Sequence, residues 1–351
     1  MVTTIDIAGR KVGNGQPCFV IAEAGVNHNG DIELAKKLID VAKEVGADAV
    51  KFQTFKAEDV VTRGAEKAEY QKETTGEKES QFEMIKKLEL SERDLGALLF
   101  YAKEKDIIFL SSPFDKRSVD LLDELGVPAF KVGSGEITNL PLLRHIARKK
   151  KPILLSTGMS TLGEIAEALE VMLQEGAGEI LLLHCVSCYP AKVEEMNLRA
   201  METLRQAFKL PVGLSDHTLG ISIPVAVVAL GVCVIEKHFT LDKNLHGPDH
   251  RASLEPEELK QMVKAIRDIE RAMGDVIKRP TKGEEEIKKV ARRSIVAKVD
   301  IPEGAIIAED MLDVKRPGTG IEPRYLERIV GKRAKRCIKG GELINWGILE
   351  L

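Results

Sequence analysis

The sequence predicts a (β/α)8 TIM barrel followed by a small β-rich domain, and three features indicate this fold. Eight short runs rich in Val, Ile, Leu and Phe recur between residues 19 and 240. Amphipathic helical patterns lie between these runs. Most runs start 21 to 32 residues after the previous one, which is room for one strand, one turn and one helix. Eight such units over about 255 residues match the barrel in size, and a doubly wound open sheet is the alternative.

Each predicted strand is one apolar run that ends in polar or small residues. The runs cover residues 19–25, 48–54, 107–114, 129–135, 152–159, 179–187, 211–218 and 232–240. Asp31 is expected to cap the helix after the first strand, and Thr161 with Glu164 has the spacing of a capping box. The polar segment 57–90 is predicted to be a partly helical insertion, and an apolar stripe predicts a helix over 256–273.

The pattern changes after Met273. We predict a barrel over residues 1–273, a charged linker over 274–293 and a small domain over 294–351. In the last segment short apolar pieces alternate with Gly and Pro, which favours short strands and turns. A domain of that size is marginally stable alone, so we expect it to pack on another surface.

Composition excludes several functional classes. The 351 residues carry 52 Lys and Arg against 55 Asp and Glu, and this net charge of −3 gives no argument for nucleic acid or acidic membrane. We see no secretory signal pattern and no apolar stretch of membrane-spanning length. Five cysteines do not make a disulfide framework, so we expect a reduced, cytoplasmic protein. Cys185 and Cys188 form a CxxC at a strand end, which we interpret as structural.

Polar residues at the strand ends are the functional candidates, because TIM-barrel sites lie at the C-terminal ends of the strands. Side chains at i and i+2 share one face of a strand, and polar ones facing the helices would be costly. Three such pairs are Lys51 with Gln53, Ser215 with His217, and Glu236 with His238. The other strand-end candidates are Glu23, Ser112, Phe114, Lys131, Ser134, Ser156, Ser187 and Tyr189.

Two histidines are the strongest candidates for a metal site. His217 and His238 end neighbouring predicted strands, which lie about 4.8 Å apart. Two imidazoles so placed can share a divalent ion and leave positions for water and a substrate oxygen. Mn²⁺, Fe²⁺, Co²⁺ and Zn²⁺ all suit such ligands, and two hydrogen-bonded structural histidines are the alternative.

Two lysines indicate an anion site. Lys51 and Lys131 each interrupt an apolar run, where a lone buried ammonium is costly. Together with nearby serine hydroxyls they suit a phosphate or carboxylate. The alternative is that they pair with Glu23 or Glu236. These glutamates are themselves candidate acid/base groups or supports for metal ligands.

Two loops add candidate substrate-contacting residues, and the alternative interpretation is that these side chains are simply solvated at the surface. The loop after the last strand is long and charged, and its candidates are His246, Asp249, His250 and Arg251. A Gly-rich loop of the small domain carries Arg316, for which a generic loop arginine is the alternative.

Nine segments, in one order, resemble the N-acetylneuraminate (sialic acid) synthase family with its C-terminal antifreeze-like (SAF) domain. They are IAEAGVNHNGD, AVKFQTF, SSPFD, KVGSGEITNLPLL, LSTGMS, GLSDHT, EKHFTLD, GPDHRASLEP and KRPGTGI. The resemblance implies condensation of phosphoenolpyruvate with open-chain N-acetylmannosamine, giving a nine-carbon 2-keto sugar acid and phosphate. It also implies a divalent metal, most commonly Mn²⁺. A legionaminic acid synthase, using 2,4-diacetamido-2,4,6-trideoxy-mannose, is the alternative, and a pseudaminic acid synthase ranks third.

The same resemblance implies a role for each candidate. Metal would bind His217 and His238, and the catalytic groups would be Glu23, Glu236, Lys51 and Lys131. Phosphoenolpyruvate would contact Lys51, Gln53, Ser112, Lys131, Ser134, Ser156, Ser187 and Ser215. The sugar would contact Glu23, Phe114, Tyr189, Asp249 and Arg316. Some members carry Asn at the position of Ser187, and Arg316 would come from the partner chain of a domain-swapped homodimer.

Two other classes of function compete. A metal-dependent lyase that cleaves a keto acid without phosphoenolpyruvate would use the paired histidines equally well. A non-catalytic sugar-binding protein led by the SAF domain is the third hypothesis, and it leaves the polar strand ends unexplained.

Overall fold

The computed structural model describes residues 4–350 as two compact units, one ending at Gly274 and one beginning at Asp275. The first unit opens with an antiparallel hairpin of β1 (Thr4–Ile7) and β2 (Arg10–Gly13). Eight parallel strands follow: β3 (Phe19–Gly25), β4 (Ala49–Thr54), β5 (Ile108–Pro113), β6 (Phe130–Val132), β7 (Ile153–Ser156), β8 (Ile180–Cys185), β9 (Val212–Asp216) and β10 (Val234–His238).

The parallel strands form a ring. Their order is β5-β4-β3-β10-β9-β8-β7-β6, so the first strand of the ring pairs with the last, and β5 lies beside β6 where the ring closes. The predicted barrel is confirmed, because an open doubly wound sheet would not join its first strand to its last. The register places Glu236 opposite Ser215, His238 opposite Glu23, and Glu23 opposite Lys51.

Helices that follow the strands cover the outside of the barrel, and three short ones, α2 to α4, lie in the insertion. In the first unit they are α1 (Ile32–Glu44), α2 (Ala57–Val60), α3 (Glu69–Thr75), α4 (Gln81–Lys86), α5 (Glu92–Glu104), α6 (Lys116–Glu124), α7 (Leu140–Ala147), α8 (Leu162–Gln174), α9 (Ala200–Phe208), α10 (Ser222–Val228) and α11 (Pro256–Met273). The predicted caps are confirmed: Asp31 accepts from two amides of α1, and Thr161 with Glu164 forms a capping box on α8. The insertion is partly helical as predicted, since it contains α2, α3 and α4.

Strand alternation divides the barrel interior into an apolar lower end and a polar upper end. The lower end is filled by inward side chains of the strands and by the hairpin, in a cluster that includes Ile5, Ile7, Val12, Phe19, Ile21, Ala49, Leu110, Leu154, Leu181, Leu183 and Val234. Gly213 lies in this layer, where a Cβ would approach Leu183 and Val234 to 2.7 Å. Close packing thus requires glycine there, and the next inward residue, Ser215, begins the polar layer.

The second unit contains α12 (Lys282–Ala291), β11 (Ser294–Ala297), β12 (Leu312–Lys315) and α13 (Leu326–Ile329). Strands β11 and β12 pair antiparallel over a small core rich in isoleucine. Helix α12 lies inside the predicted linker, where Thr281 and Glu284 form a capping box that the charged composition had not suggested. Within residues 4–350, no helix combines the length and apolar character needed to cross a bilayer.

Candidate active site

Four buried charged side chains meet at the upper end of the barrel. Lys51 Nζ lies 2.8 Å from Glu23 Oε2 and 3.6 Å from Glu236 Oε2. Lys131 Nζ lies 3.1 Å from Glu236 Oε1, and the Ser215 hydroxyl donates to the same oxygen at 2.8 Å. All four charged side chains are at most 5 % exposed. The two lysines do converge, and they also make the glutamate pairs that the sequence left open as the alternative.

The two carboxylates differ in proton affinity. Burial raises the pKa of Glu23, and Lys51 only partly opposes that shift. Burial would also raise the pKa of Glu236, but Lys131 and Lys51 outweigh it and hold that pKa below its usual range. Environments that push two pKa values apart assign different proton roles to the two groups. Glu236 is therefore the permanent anion, and Glu23 is the group that can carry a proton.

Small residues beside this cluster form a cradle of hydroxyl groups. The Ser134 hydroxyl accepts from the Gly158 amide at 3.0 Å, and a side chain at Gly158 would collide with both the Ser134 and Ser187 hydroxyls. Ser156 is 1 % exposed, and its hydroxyl has no hydrogen-bond partner in the structure. Because buried hydroxyls are normally satisfied, this one marks a position where a polar ligand belongs.

The predicted histidine pair lies next to the charge cluster. The ring centroids of His217 and His238 are 5.5 Å apart, and Tyr189 packs 4.1 Å from His217. His217 Nδ1 lies 2.7 Å from the Val186 carbonyl oxygen, which only a protonated nitrogen can contact so closely, so Nε2 is the ring nitrogen left for a metal ion. His238 Nδ1 is buried without a hydrogen-bond partner, 3.9 Å from an Asp249 carboxylate oxygen.

These donors fit a divalent metal ion that completes its shell with other oxygens. Burial lowers the pKa of His238, which keeps its ring neutral, and burial raises the pKa of Asp249 to about 6. Imidazole nitrogens with a nearby carboxylate suit Mn²⁺ and its neighbours in the first transition row. Among residues 4–350, no three His, Cys, Asp or Glu side chains are grouped closely enough to hold an ion unaided. Water or substrate oxygens would therefore supply the remaining ligands.

The other strand-end candidates line the same rim. Ser112 accepts from Lys51 Nζ at 2.9 Å and lies opposite Gln53 in the strand register. Phe114 packs edge-on against Phe55, and a Cβ at Gly133 would contact its ring at 3.6 Å.

The loop candidates divide into two groups. Asp249 and His250 are buried, whereas His246 and Arg251 are exposed. The His250 ring is held by the Thr240 hydroxyl at 2.6 Å, so it is structural. Arg316 belongs to the second unit, where it is exposed and donates through Nε to a backbone carbonyl.

Sequence reasoning missed two residues at the site. Cys185, interpreted as structural, is buried with its sulfur 3.8 Å from His217 Nδ1. Tyr70 of the insertion stacks on Tyr189 at 5.4 Å between centroids. The strand spacing could have revealed Cys185, because it is an inward residue of β8. No sequence signal distinguishes Tyr70 from the other residues of a polar insertion.

Comparison with known proteins identifies the family of this chain. A model of the NeuB family matches residues 38–278, and a model of the SAF domain matches residues 292–350. This chain belongs to the NeuB family. The family predicted from the nine motifs is thereby confirmed, and so is the SAF character of the C-terminal region.

Named relatives are similar to this chain over most of its length. N,N'-diacetyllegionaminic acid synthase of Campylobacter jejuni is 56 % identical, over 93 % of this chain and 98 % of its own length. The protein of that name from Legionella pneumophila is 49 % identical, over 96 % of both chains. The solved N-acetylneuraminic acid synthetase of Leptospira borgpetersenii is 34 % identical, with a TM-score of 0.71 over 81 % of this chain and 94 % of its own.

Proposed function

We propose that this protein is an N,N'-diacetyllegionaminic acid synthase. It condenses phosphoenolpyruvate with 2,4-diacetamido-2,4,6-trideoxy-mannose and releases phosphate and a nine-carbon 2-keto sugar acid. Two relatives of that name, at 56 % and 49 % identity, support this sugar. N-acetylmannosamine, ranked first from the motifs, is supported only at the level of the family. The observation that carries the proposal is the buried set of two lysines and two glutamates beside the two histidines.

The lysines and serines bind phosphoenolpyruvate. Lys51 and Lys131 supply two ammonium groups in a buried site, where attraction for a phosphate and a carboxylate is strong. Ser134, Ser156 and Ser187 supply hydroxyl donors on the same rim. Such preorganised donors bind an anion without having to reorient, and burial of the site keeps water from competing for them.

The glutamates divide the remaining chemistry. As carbon 3 of phosphoenolpyruvate bonds to the aldehyde carbon of the sugar, the aldehyde oxygen takes a proton from Glu23. Carbon 2 then bears positive charge, which the anionic Glu236 stabilises until a water molecule adds to it. Loss of one proton from that water returns Glu23 to its acid form and leaves a hydroxyl on carbon 2. Phosphate then departs with the electron pair of its C–O bond and takes the hydroxyl proton, and carbon 2 becomes the keto group.

His217 and His238 hold the divalent metal in this proposal, with Asp249 beside them. Bound there, the ion supplies Lewis-acid polarisation of the carbonyl oxygen. Tyr189, packed against His217, orients the sugar chain along the rim.

We also propose a homodimer in which Arg316 reaches the sugar of the partner subunit. Its guanidinium is exposed in the second unit and donates through Nε to the Ala291 carbonyl at 3.0 Å. Mixing inactive Arg316→Ala chains with inactive Lys131→Met chains should restore part of the activity, because one mixed site would keep both residues. Proven mixed dimers without activity would show that Arg316 acts within its own chain.

The test is phosphate release from phosphoenolpyruvate with each of three sugars at fixed Mn²⁺: the diacetamido sugar, its pseudaminate-type isomer and N-acetylmannosamine. We expect the diacetamido sugar to have the highest kcat/KM, and mass spectrometry to show the nine-carbon acid. Lys131→Met should abolish phosphate release. Absence of turnover with all three sugars contradicts the proposal, and cleavage of the keto acid that survives in Lys131→Met would support the lyase.

A further inference from the structure

Tyr70 connects the insertion to the metal-binding histidines through a stack of rings. Its ring lies 5.4 Å from Tyr189 at an interplanar angle of 27°, and Tyr189 lies 4.1 Å from His217. Tyr70 is thus one ring further from the histidines than Tyr189 along the same wall. The mechanism proposed above gives Tyr189 a role and leaves Tyr70 without one.

The insertion is a folded part of the barrel rim. At its centre the buried Lys67, 2 % exposed at its side chain, donates to the Thr75 hydroxyl, the Gly76 carbonyl and Glu79 at 2.8, 3.0 and 3.1 Å. A buried ammonium satisfied by three acceptors fixes the segment around it. Tyr70 is therefore held in a defined position and does not have to be ordered by a ligand.

The same helix reaches the loop that carries Asp249. The Thr74 hydroxyl lies 3.5 Å from the Pro248 carbonyl oxygen and is bonded more closely, at 3.0 Å, to the carbonyl of Tyr70 itself. Tyr70 thus lies between the Tyr189 side of the rim and the Asp249 side. A sugar whose aldehyde carbon lies at the histidines and whose chain follows this wall would bring its far end to Tyr70.

The chemistry of the Tyr70 side chain suits an acetamido group. Its ring offers an apolar face for a methyl group. Its hydroxyl accepts from Gln71 at 3.2 Å and keeps its own hydrogen for donation to a carbonyl. We propose that Tyr70 is a specificity residue that contacts the far end of the sugar, selecting an acceptor with a second acetamido group and a 6-methyl group over one with hydroxyl groups at these positions. This inference rests on the proposed function.

The test is the ratio of kcat/KM for the diacetamido sugar to that for N-acetylmannosamine. Wild type should favour the diacetamido sugar, and Tyr70→Ala should lower that ratio by about tenfold, the order expected for losing an aromatic contact. Tyr70→Phe keeps the ring and should lower the ratio by less, and the KM for phosphoenolpyruvate should stay unchanged in both. Tyr101→Phe, on the outer helix α5 with its hydroxyl on Asp40, is the matched control.

The ratio separates recognition from folding. A variant that only loosened the insertion would slow both sugars alike, and Tyr70→Leu provides a second apolar substitution if Tyr70→Ala is poorly folded. Wild-type turnover with an unchanged ratio in Tyr70→Ala and Tyr70→Leu overturns this inference alone. Absence of wild-type turnover with either sugar overturns the proposed function and this inference with it.

Discussion

The ion pair between Asp216 and Lys237 should be among the most sensitive points of the barrel. Lys237 Nζ lies 2.5 Å from Asp216 Oδ2, and both side chains are fully buried. Asp216 lies between the inward residues Ser215 and His217, and Lys237 lies between Glu236 and His238. Because side chains alternate along a strand, the pair lies on the helix-facing side of β9 and β10. Asp216 also accepts from the amide and hydroxyl of Thr218 at 3.0 and 2.9 Å.

Asp216→Ala leaves the Lys237 ammonium buried with a backbone carbonyl as its remaining partner. Breaking one side of a buried pair lowers the free energy of unfolding by about 3–5 kcal/mol. Lys237→Met should cost less, because Asp216 keeps both donors of Thr218. The double variant should lose less than the sum of the single losses, with a coupling energy of about 2 kcal/mol or more.

Urea unfolding followed by far-UV circular dichroism measures these losses. The control is Glu92→Gln, which removes a partner of Arg117 in a pair that is more than half exposed on the barrel surface, and it should barely move the midpoint. Metal affinity of the surviving fold should fall in Asp216→Ala, since Asp216 and Lys237 are partners in the strand register that sets His217 beside His238. A loss no larger than that of Glu92→Gln, or strictly additive single losses, would refute this reasoning.

Three further results are expected. Glu23→Gln should lower kcat by at least about 100-fold. It should also abolish the decline of kcat/KM that wild type shows as pH rises through the raised Glu23 pKa, because the acid form of Glu23 is the active one. A pH–rate profile that keeps this decline in the variant contradicts the assignment. Burial lowers the pKa of His28 to about 4, so the unfolded chain takes up a proton before the folded chain does as pH falls. The free energy of unfolding should therefore drop by about 3 kcal/mol between about pH 6.5 and about pH 4. In urea titrations His28→Leu should show a smaller drop in the free energy of unfolding between these two pH values than wild type. His217→Ala should weaken Mn²⁺ binding at least about 100-fold by electron paramagnetic resonance, while the exposed His246→Ala binds normally; equal affinities would exclude His217 as a ligand.

The fold was predictable because each parallel strand is buried on both faces and is therefore a nearly continuous apolar run. Such runs, with the helical stripes between them, need no tertiary information. The helix α12 was missed because its stability comes from a capping box and from surface pairs such as Lys288 with Glu285, and it buries no side chain. Apolar periodicity is silent about a helix of that kind.

The candidate site was predictable wherever strand alternation alone determines which face of the sheet a side chain lies on. The i and i+2 rule placed Ser215, Glu236 and the two histidines on the inner face, as the structure has them. The rule could not state which lysine meets which glutamate, because that depends on how far each side chain reaches across the ring. Tyr70 was out of reach for a related reason: its position follows from the internal bonds of an insertion, and no strand register extends to it.

The charges of the site also determine how it responds to its substrate. Two ammonium groups and two carboxylates balance one another before phosphoenolpyruvate arrives, and the substrate then adds several negative charges beside them. An added anion raises the pKa of a neighbouring carboxyl, and Glu23, already raised by burial, is the one able to respond, because Lys131 and Lys51 keep Glu236 ionised. Substrate binding therefore favours the acid form of Glu23 that the first proton transfer needs. Since kcat reports the complex and kcat/KM the free enzyme, the high-pH decline of kcat should lie at higher pH than that of kcat/KM.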